Sequence, residues 1–171
     1  MLKCVFLDRD GVLTPDSGGL PKTGELPLIP GIIDPLTLLA QHQFALVIIT
    51  NQPQIARGIA TESEVDQTNQ LLIRSIEASG GPKILSAQFC PHHPNADLVE
   101  YRVVCDCRKP KPGMILTAAE NHQIDLAKSF LIGDRKTDIA AGGSAGCRTV
   151  LLDAGDQTEQ IIESDDDQSE F

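Results

Sequence analysis

The sequence predicts a doubly wound α/β fold, built around a parallel β-sheet with helices on both faces. Three observations support this class. Continuous apolar runs typical of buried parallel strands recur along the chain, for example FALVIIT at residues 44–50. Segments with helical spacing of apolar residues separate these runs. Carboxylate or hydroxyl side chains end several of the runs, as expected where parallel strands deliver polar groups to one sheet edge.

The elements follow in order. Strands are predicted as buried apolar runs at residues 3–8, 44–50, 85–90, 130–134 and 149–153. Helices are predicted from their apolar spacing at residues 32–43, 62–79, 113–123 and 137–145. Thr61 is suited to cap the helix at residues 62–79, with Glu64 three residues later completing a capping box. The Gly- and Pro-rich loop 11–31 and the Cys- and His-bearing loop 91–112 are expected over the carboxyl edge of the sheet.

Length and composition indicate one domain, residues 1–155, without a large cap domain, followed by an acidic tail, residues 156–171. The tail carries seven of the acidic residues and no basic ones, and we expect it to be flexible, with at most a short helix around Ile161 and Ile162. The net charge of −10 argues against nucleic-acid binding. No membrane span or signal peptide is apparent, so a cytoplasmic location without membrane contact is expected. The protein is also expected to be a monomer and to bind no nucleic acid.

The segment Asp8-Arg9-Asp10-Gly11 directly follows the first apolar run. Two aspartates at i and i+2 on a sheet edge can divide the chemistry of hydrolysis. The first can attack an electrophile, while the second protonates a leaving group and then deprotonates water. In isolation the same pattern is also typical of a polar turn after a strand.

Three further segments are predicted to reach the same edge. At Thr50-Asn51-Gln52, a hydroxyl and backbone amides suit a phosphoryl oxygen. The cations of Arg108-Lys109 precede a helix N-terminus and therefore suit an anion. Gly133-Asp134 ends the fourth strand, and Asp138 follows one helical turn later. Taken singly, Thr50 is more typical of a turn, the Arg108-Lys109 segment is equally typical of a solvated basic turn, and the aspartates after the fourth strand are equally typical of a helix cap. Together they place Asp8, Asp10 and Asp134 against a phosphate, which requires compensating positive charge from Lys109 and a hard cation such as Mg²⁺.

Three of the five cysteines, Cys90, Cys105 and Cys107, lie within eighteen residues. In a chain expected to be cytosolic, such clustering favours a metal or catalytic site over disulfides. Cys4 and Cys147 lie in or beside apolar strands and are predicted to be small core residues.

The four segments that begin at Asp8, Thr50, Arg108 and Gly133 resemble, in this order, the motifs of the haloacid dehalogenase superfamily of phosphohydrolases. The resemblance implies that Asp8 is a nucleophile that forms an aspartyl-phosphate and that Asp10 is the general acid and base. It also implies that Thr50 and Lys109 hold the phosphoryl group. Mg²⁺ would be bound by Asp8, the backbone carbonyl of Asp10, and Asp134.

Further motifs are similar to those of the D-glycero-D-manno-heptose 1,7-bisphosphate phosphatases. They are Thr50-Asn51-Gln52, Ile55-Ala56-Arg57-Gly58, Cys90-Pro91-His92-His93-Pro94 and Cys105-Asp106-Cys107-Arg108-Lys109-Pro110. In this group the Cys and His loop binds structural zinc, which implies Cys90, His92, Cys105 and Cys107 as ligands and leaves His93 outside. Three thiolates and one imidazole also suit a closed tetrahedral zinc site on chemical grounds.

The resemblance implies a small phosphorylated sugar as the substrate. Its predicted contacts are Thr50, Asn51, Gln52, Arg108, Lys109 and Arg135, with Arg108 and Arg135 best placed for a second phosphate. The related histidinol-phosphate phosphatases share many of the motifs and form the main alternative. More distant alternatives are a nucleic-acid end phosphatase and a zinc-stabilised binding protein without catalysis.

Overall fold

The computed structural model describes residues 1–16, 26–152 and 162–163 of the chain. Within them the six strands form one sheet in the order β3-β2-β1-β4-β5-β6. The strands are β1 Lys3–Leu7, β2 Phe44–Asn51, β3 Ser86–Cys90, β4 Phe130–Gly133, β5 Arg148–Leu151 and β6 Ile162–Glu163. All four pairs formed among the first five strands are parallel. The predicted α/β class and its five parallel strands are therefore confirmed, with strand ends shifted by at most two residues; residue 153 lies outside the described part.

The four predicted helices are also present. They are α1 Ile33–Gln41, α3 Glu62–Ala78, α4 Gly113–His122 and α5 Lys136–Ala145, with the short α2 Pro53–Ala56 between β2 and α3. The capping box of α3 is formed as predicted: Thr61 Oγ1 accepts from the Glu64 amide, and the Thr61 amide donates to Glu64 Oε2. Helix α2 and the single 3₁₀ turns Val99–Tyr101 and Leu126–Lys128 were not predicted, since three or four residues are too few to display helical periodicity.

Alternate residues of the central strands face two hydrophobic layers. Cys4 and Phe6 of β1 pack in the layer that contains Met114 of α4 and Ala141 of α5. Val5 and Leu7 pack in the opposite layer, which contains Leu36, Leu72 and Ile76 from α1 and α3. Because a strand points successive side chains to opposite faces, this alternation gives a sheet covered on both sides.

Cys4 and Cys147 belong to the first of these layers, as expected for small core residues. Burial raises the pKa of the Cys4 thiol, and it raises the pKa of the Cys147 thiol to about 12. Both thiols are therefore neutral at physiological pH, which is typical of structural rather than reactive cysteines.

Most of the predicted acidic tail, residues 156–171, lies outside the described residues. The exception is β6, which pairs antiparallel with β5 through Val150↔Glu163 and Leu151↔Ile162. Ile162 thus belongs to a strand, and the expectation of a short helix there was wrong. Two residues carry no periodic signal, and this strand forms because the edge of β5 offers free hydrogen-bonding groups.

No helix among the described residues has both the length and the apolar character needed to cross a membrane.

Strand register determines where the polar residues meet. Leu7 of β1 aligns with Ile48 of β2 and Ile132 of β4. The next residue along, Asp8, donates its amide to the Ile132 carbonyl oxygen at 3.0 Å. The carboxyl ends of β1, β2 and β4 therefore lie side by side and bring their polar residues to one edge.

Candidate active site

A cavity of about 250 Å³ opens at this edge of the sheet. Side chains from all four predicted segments line it, among them Asp8, Asp10, Thr50, Lys109 and Arg135. Arg57, which follows α2, lines it as well. The structure therefore brings together residues that are up to 130 positions apart in the sequence, from Asp8 to Asp138.

Lys109 lies at the centre of a buried charge cluster. Its Nζ is 2.8 Å from Asp8 Oδ1 and 2.6 Å from Asp138 Oδ1, and it donates to the Ile49 carbonyl oxygen at 3.2 Å. An ammonium has three hydrogens, so these three acceptors match its full capacity. The ammonium is almost fully buried, as is Asp138, and the pairing offsets much of the cost of burying these charges.

The carboxylates of this cluster hold more negative charge than Lys109 alone compensates. Burial raises the pKa of Asp8 to about 6, an effect that Lys109 opposes and the nearby Asp138 charge reinforces. Burial and the Asp138 charge also raise the pKa of Asp134. A site in which two carboxylates resist ionisation is one that a bound cation would stabilise.

The donor set fits a hard divalent cation. Asp8, Asp134 and Asp138 each place a carboxylate oxygen within 4.8 Å of the others. Asp134 Oδ1 is buried and has no hydrogen-bond partner among the described residues, so its lone pairs are available to a metal. Oxygen ligands of this kind favour Mg²⁺. The backbone carbonyl of Asp10 as a further ligand stays a prediction.

Gly11 makes room for Asp134. Its φ of +90° lies in the region that favours glycine, and a Cβ added there would overlap with Asp134 Oδ2. The glycine of the Asp8-Arg9-Asp10-Gly11 segment therefore allows the carboxylate from β4 to approach the backbone that follows β1.

Asp138 is a site residue that the sequence patterns do not identify, although they place it one helical turn from Asp134. In the structure it caps α5, accepting from the Arg135 amide at 3.0 Å, and it also pairs with Lys109. The available signal was its position in the first turn of the helix that follows β4. Sequence spacing placed it near the sheet edge without indicating that its second oxygen would hold a buried lysine.

The side chain of Asp10 points to a different set of partners. Its carboxylate accepts two hydrogen bonds from the Arg9 guanidinium, at 3.0 Å and 2.9 Å. Thr14 Oγ1 donates to it at 3.2 Å and Gln52 Nε2 at 3.0 Å. Asp10 thus lies beside Asp8 at the cavity wall, held by donors from both neighbouring loops.

The segment after β2 supports the site in two ways. Thr50 Oγ1 lies at the cavity wall and accepts from Gln52 Nε2 at 2.8 Å. The Asn51 side chain forms two hydrogen bonds with the Lys109 backbone, one to its carbonyl oxygen and one from its amide, both at 3.1 Å. Asn51 therefore fixes the lysine-bearing loop, and direct contacts of Asn51 and Gln52 with a substrate stay predictions.

The two predicted arginines differ in their surroundings. Arg135 lies at the cavity and pairs with Asp16 at 2.6 Å. Arg108 donates from Nη1 to the His92 carbonyl oxygen at 3.1 Å and is not among the described residues that line the cavity. Arg57 is the additional cation at the cavity, so a second anionic group would meet Arg57 and Arg135 first.

The predicted cysteine and histidine ligands form one compact cluster. The Sγ atoms of Cys90 and Cys105 lie 3.6 Å apart, and those of Cys90 and Cys107 lie 3.0 Å apart. His92 Nδ1 is 3.7 Å from Cys90 Sγ and 3.3 Å from Cys107 Sγ. His93 lies outside the cluster and accepts from the Asn95 amide.

The donor set fits a tetrahedral metal, and the distances from Cys90 to Cys105 and to His92 match one, whereas the two distances to Cys107 are shorter. With Zn–S of about 2.3 Å and Zn–N of about 2.0 Å, the ligand atoms of a zinc site lie roughly 3.5–3.8 Å apart. Burial raises the pKa of Cys90. Burial also opposes ionisation of Cys105, but hydrogen bonds from Cys107 and the Arg108 amide lower its pKa. The cluster can therefore hold a metal, and it immediately precedes the Lys109 segment of the active site.

The fold and the site together define a phosphohydrolase of the haloacid dehalogenase class: a parallel sheet whose β1 ends in paired aspartates, opposed by a buried lysine and a third aspartate from β4. A protein-family model described as HAD-hydrolase-like matches residues 106–171.

Comparison with known proteins narrows the class. The chain is 39% identical over 148 residues to D-glycero-beta-D-manno-heptose-1,7-bisphosphate 7-phosphatase of Escherichia coli strain K12, covering 86% of this chain and 77% of the relative. The enzyme of the same name from Photorhabdus laumondii is 39% identical over 151 residues, covering 88% and 80%. The crystal structure of D,D-heptose 1,7-bisphosphate phosphatase from B. bronchiseptica, complexed with magnesium and phosphate, matches with a TM-score of 0.73 and 32% identity, covering 88% of this chain and 80% of that one.

Because this identity extends over most of this chain and most of each relative, the chain belongs to the heptose-1,7-bisphosphate 7-phosphatase family of haloacid dehalogenase-like hydrolases.

Proposed function

We propose that this protein is a Mg²⁺-dependent phosphatase that removes the 7-phosphate of D-glycero-D-manno-heptose 1,7-bisphosphate and leaves the anomeric phosphate in place. The observation that carries the proposal is the 39% identity over 86% of the chain with relatives named for this activity. The names of these relatives specify the beta anomer, which we propose as the preferred form.

The first chemical step joins Asp8 to the substrate. A carboxylate oxygen of Asp8 attacks phosphorus, the bond from phosphorus to the sugar oxygen breaks, and that oxygen takes a proton from Asp10. The products are the sugar, which now carries a hydroxyl in place of that phosphate, and an aspartyl-phosphate on Asp8. Lys109, whose Nζ lies 2.8 Å from Asp8, stays beside the reacting carboxylate and offsets the charge of the phosphoryl oxygens.

The second step restores the enzyme. A water molecule attacks phosphorus and gives its proton to the Asp10 carboxylate, while the bond between Asp8 and phosphorus breaks. Inorganic phosphate leaves, Asp8 is again a carboxylate, and Asp10 again carries the proton for the next cycle. Asp10 is suited to both tasks because it lies at the cavity wall two residues from Asp8.

Asp8, Asp134 and the Asp10 carbonyl would hold Mg²⁺, in keeping with the buried oxygen of Asp134 that has no hydrogen-bond partner among the described residues. When bound, the ion supplies positive charge to the phosphate oxygens. Asp138 supports this arrangement from the other side by holding Lys109 and the start of α5.

Zinc in the cluster of Cys90, His92, Cys105 and Cys107 is proposed to be structural, because four protein ligands leave no open coordination position. The cluster would order the loop that ends in Arg108 and Lys109. Reduced thiols in such a site agree with the cytoplasmic location that we propose.

A second phosphate could be bound by the guanidinium groups at the cavity wall, where Arg135 is paired with Asp16. One phosphate is accounted for by Lys109, Thr50 and the metal, while Arg57 and Arg135 also line the cavity. Guanidinium groups bind phosphate through paired hydrogen bonds. We therefore expect the bisphosphate to exceed the matching monophosphate in kcat/KM by about tenfold or more, equivalent to about 1.4 kcal/mol.

A substrate panel tests the proposal. It contains both anomers of heptose 1,7-bisphosphate, heptose 7-phosphate, histidinol phosphate, a phosphorylated oligonucleotide end and an aryl phosphate, each assayed with Mg²⁺. The proposal predicts the highest kcat/KM for the beta bisphosphate. Preference for histidinol phosphate or for the oligonucleotide would assign the protein to that alternative activity, and turnover of none of them would indicate a binding protein without catalysis.

A further inference from the structure

Arg9 is a fully buried arginine that contacts Asp10, the proposed general acid. It lies between the two catalytic aspartates in sequence and is 1% exposed. Its Nε and Nη2 donate to the two oxygens of Asp10 at 3.0 Å and 2.9 Å, so the contact is bidentate. Burying a guanidinium is energetically costly unless it is paired and hydrogen-bonded. That cost is offset here by a contact that fixes the plane of one carboxylate.

A third residue holds the arginine from behind. Asn69 of α3 accepts from Arg9 Nη1 at 3.1 Å through its Oδ1 and is itself 1% exposed. The buried face of α3 comprises Val65, Asn69, Leu72 and Ile76, and Asn69 is its only polar member. Its Nδ2 has no hydrogen-bond partner among the described residues, so the amide is incompletely satisfied in the core. Contact with Arg9 is the interaction that explains a polar residue at this position.

The hydrogen bonds of Asp10 still leave room for a catalytic proton. A carboxylate offers about four lone-pair sites, and Arg9, Thr14 and Gln52 supply four donors. However, the single hydroxyl hydrogen of Thr14 has two acceptors, Asp10 Oδ1 and the Arg9 carbonyl oxygen. When it turns to the carbonyl oxygen, one site on Asp10 becomes available for a proton while both Arg9 contacts persist.

We propose that Arg9 and Asn69 are positioning residues that hold Asp10 in the orientation required for proton transfer to the leaving group. This inference rests on the proposed function, in which Asp10 is the general acid. Asn69 does not touch Asp10 and acts through Arg9, and Asp10 touches the reacting atoms. Loss of the Asn69 acceptor lets the guanidinium rotate and weakens proton donation without removing the nucleophile.

The leaving group provides a readout that a structural role would not move. A nitrophenolate departs readily without a proton, whereas a benzyl alkoxide depends on general acid catalysis. The experiment measures kcat/KM for p-nitrophenyl, phenyl and benzyl phosphate with Mg²⁺, and plots its logarithm against the acidity of the leaving alcohol. The variants are Asn69→Leu, which removes the acceptor, and Asn69→Asp, which retains Oδ1. Leu72→Ala weakens the same face of α3 and serves as the matched control.

We expect Asn69→Leu to lower kcat/KM for benzyl phosphate about tenfold or more and for p-nitrophenyl phosphate less than about threefold, so that the plot steepens. Asn69→Asp should keep the wild-type slope, and Leu72→Ala should shift the line without tilting it. If Asn69→Leu does not fold, Arg9→Lys replaces it, because a lysine keeps the charge but cannot form the bidentate contact. Parallel lines for wild type and these variants would overturn the inference while leaving the proposed function intact. Failure of the wild type to hydrolyse any phosphomonoester would instead reject the proposed function, and the inference with it.

Discussion

Replacing Asp8 by asparagine should abolish turnover and at the same time stabilise the protein when Mg²⁺ is absent. The amide cannot act as the nucleophile, so the aspartyl-phosphate cannot form. The effect on stability follows from the surroundings of the carboxylate. Burial, reinforced by the Asp138 charge, raises its pKa to about 6 even though Lys109 lies 2.8 Å away. The charged form of Asp8 is therefore disfavoured in the folded protein.

The size of the effect follows from that pKa. The ordinary value is 3.8, and a rise to about 6 corresponds to about 3 kcal/mol at neutral pH, since one pH unit corresponds to about 1.4 kcal/mol. That figure already contains the loss of the Lys109 contact, because Lys109 is one of the groups that set this pKa, and Lys109 keeps Asp138 as its charged partner. We expect the free energy of unfolding of Asp8→Asn to exceed that of the wild type by about 1–3 kcal/mol at pH 7.

The sign of the pH dependence is fixed by linkage. The folded protein binds the Asp8 proton more tightly than the unfolded chain does, so wild-type stability from this group is complete below about pH 4 and is lost as pH rises through about 6. The advantage of Asp8→Asn should therefore grow between about pH 4 and pH 6 and stay constant above. Urea unfolding across this range measures it, in Mg²⁺-free buffer with zinc retained and checked by metal analysis.

A control and a contrary result complete this test. Asp66→Asn removes an exposed carboxylate of α3 and should change stability by less than about 0.5 kcal/mol. If Asp8→Asn is less stable than the wild type at pH 7, the folded protein does not disfavour the charged form of Asp8. If it retains appreciable steady-state turnover, Asp8 is not the nucleophile.

Three further predictions concern the metal sites and the second phosphate. Cys105→Ala should lose bound zinc, unfold at lower denaturant concentration and lose activity by displacing Lys109; metal analysis that finds zinc retained, or unchanged stability and activity, would refute the structural role. Gly11→Ala should weaken Mg²⁺ binding by about tenfold or more in isothermal titration, because the added Cβ would overlap with Asp134 Oδ2. Wild-type affinity would show that Mg²⁺ binding does not need the space that Gly11 leaves for Asp134. Arg135→Ala should shrink the kcat/KM ratio of bisphosphate to monophosphate more than Arg108→Ala does, since only Arg135 of this pair lines the cavity. The opposite order would place the second phosphate beside Arg108.

The main chain of the fold and part of the site could be predicted from the sequence. Buried parallel strands are continuous apolar runs, and the residue after each run must lie at the same sheet edge. That rule alone placed Asp8, Thr50 and Asp134 together. The clustered cysteines alone indicated a metal or catalytic site, while the full ligand set with His92 was implied by the family resemblance, and the structure brings these four residues together.

Side-chain direction could not be predicted in the same way. Asp138 lay in the first turn of a predicted helix, but its contact with Lys109 depends on how α5 packs against β4. Asn69 is one polar residue in an amphipathic helix, and only tertiary packing turns it onto Arg9. Arg108 adjoins Lys109 in sequence, yet its guanidinium donates to the His92 carbonyl oxygen on the cluster loop. Strand β6 pairs through two residues, which is too short for any periodic signal.

The proposed reaction removes one particular phosphate, the 7-phosphate, from a sugar bisphosphate. Phosphorus NMR of heptose 1,7-bisphosphate incubated with the wild-type protein and Mg²⁺ tests this most directly, since the two phosphates and inorganic phosphate give separate signals. We predict that the signal of the 7-phosphate disappears as inorganic phosphate grows, while the signal of the anomeric phosphate stays at full intensity, and that Asp8→Asn leaves all signals unchanged. Loss of the anomeric phosphate first, or a spectrum that does not change with the wild-type protein, would contradict the account.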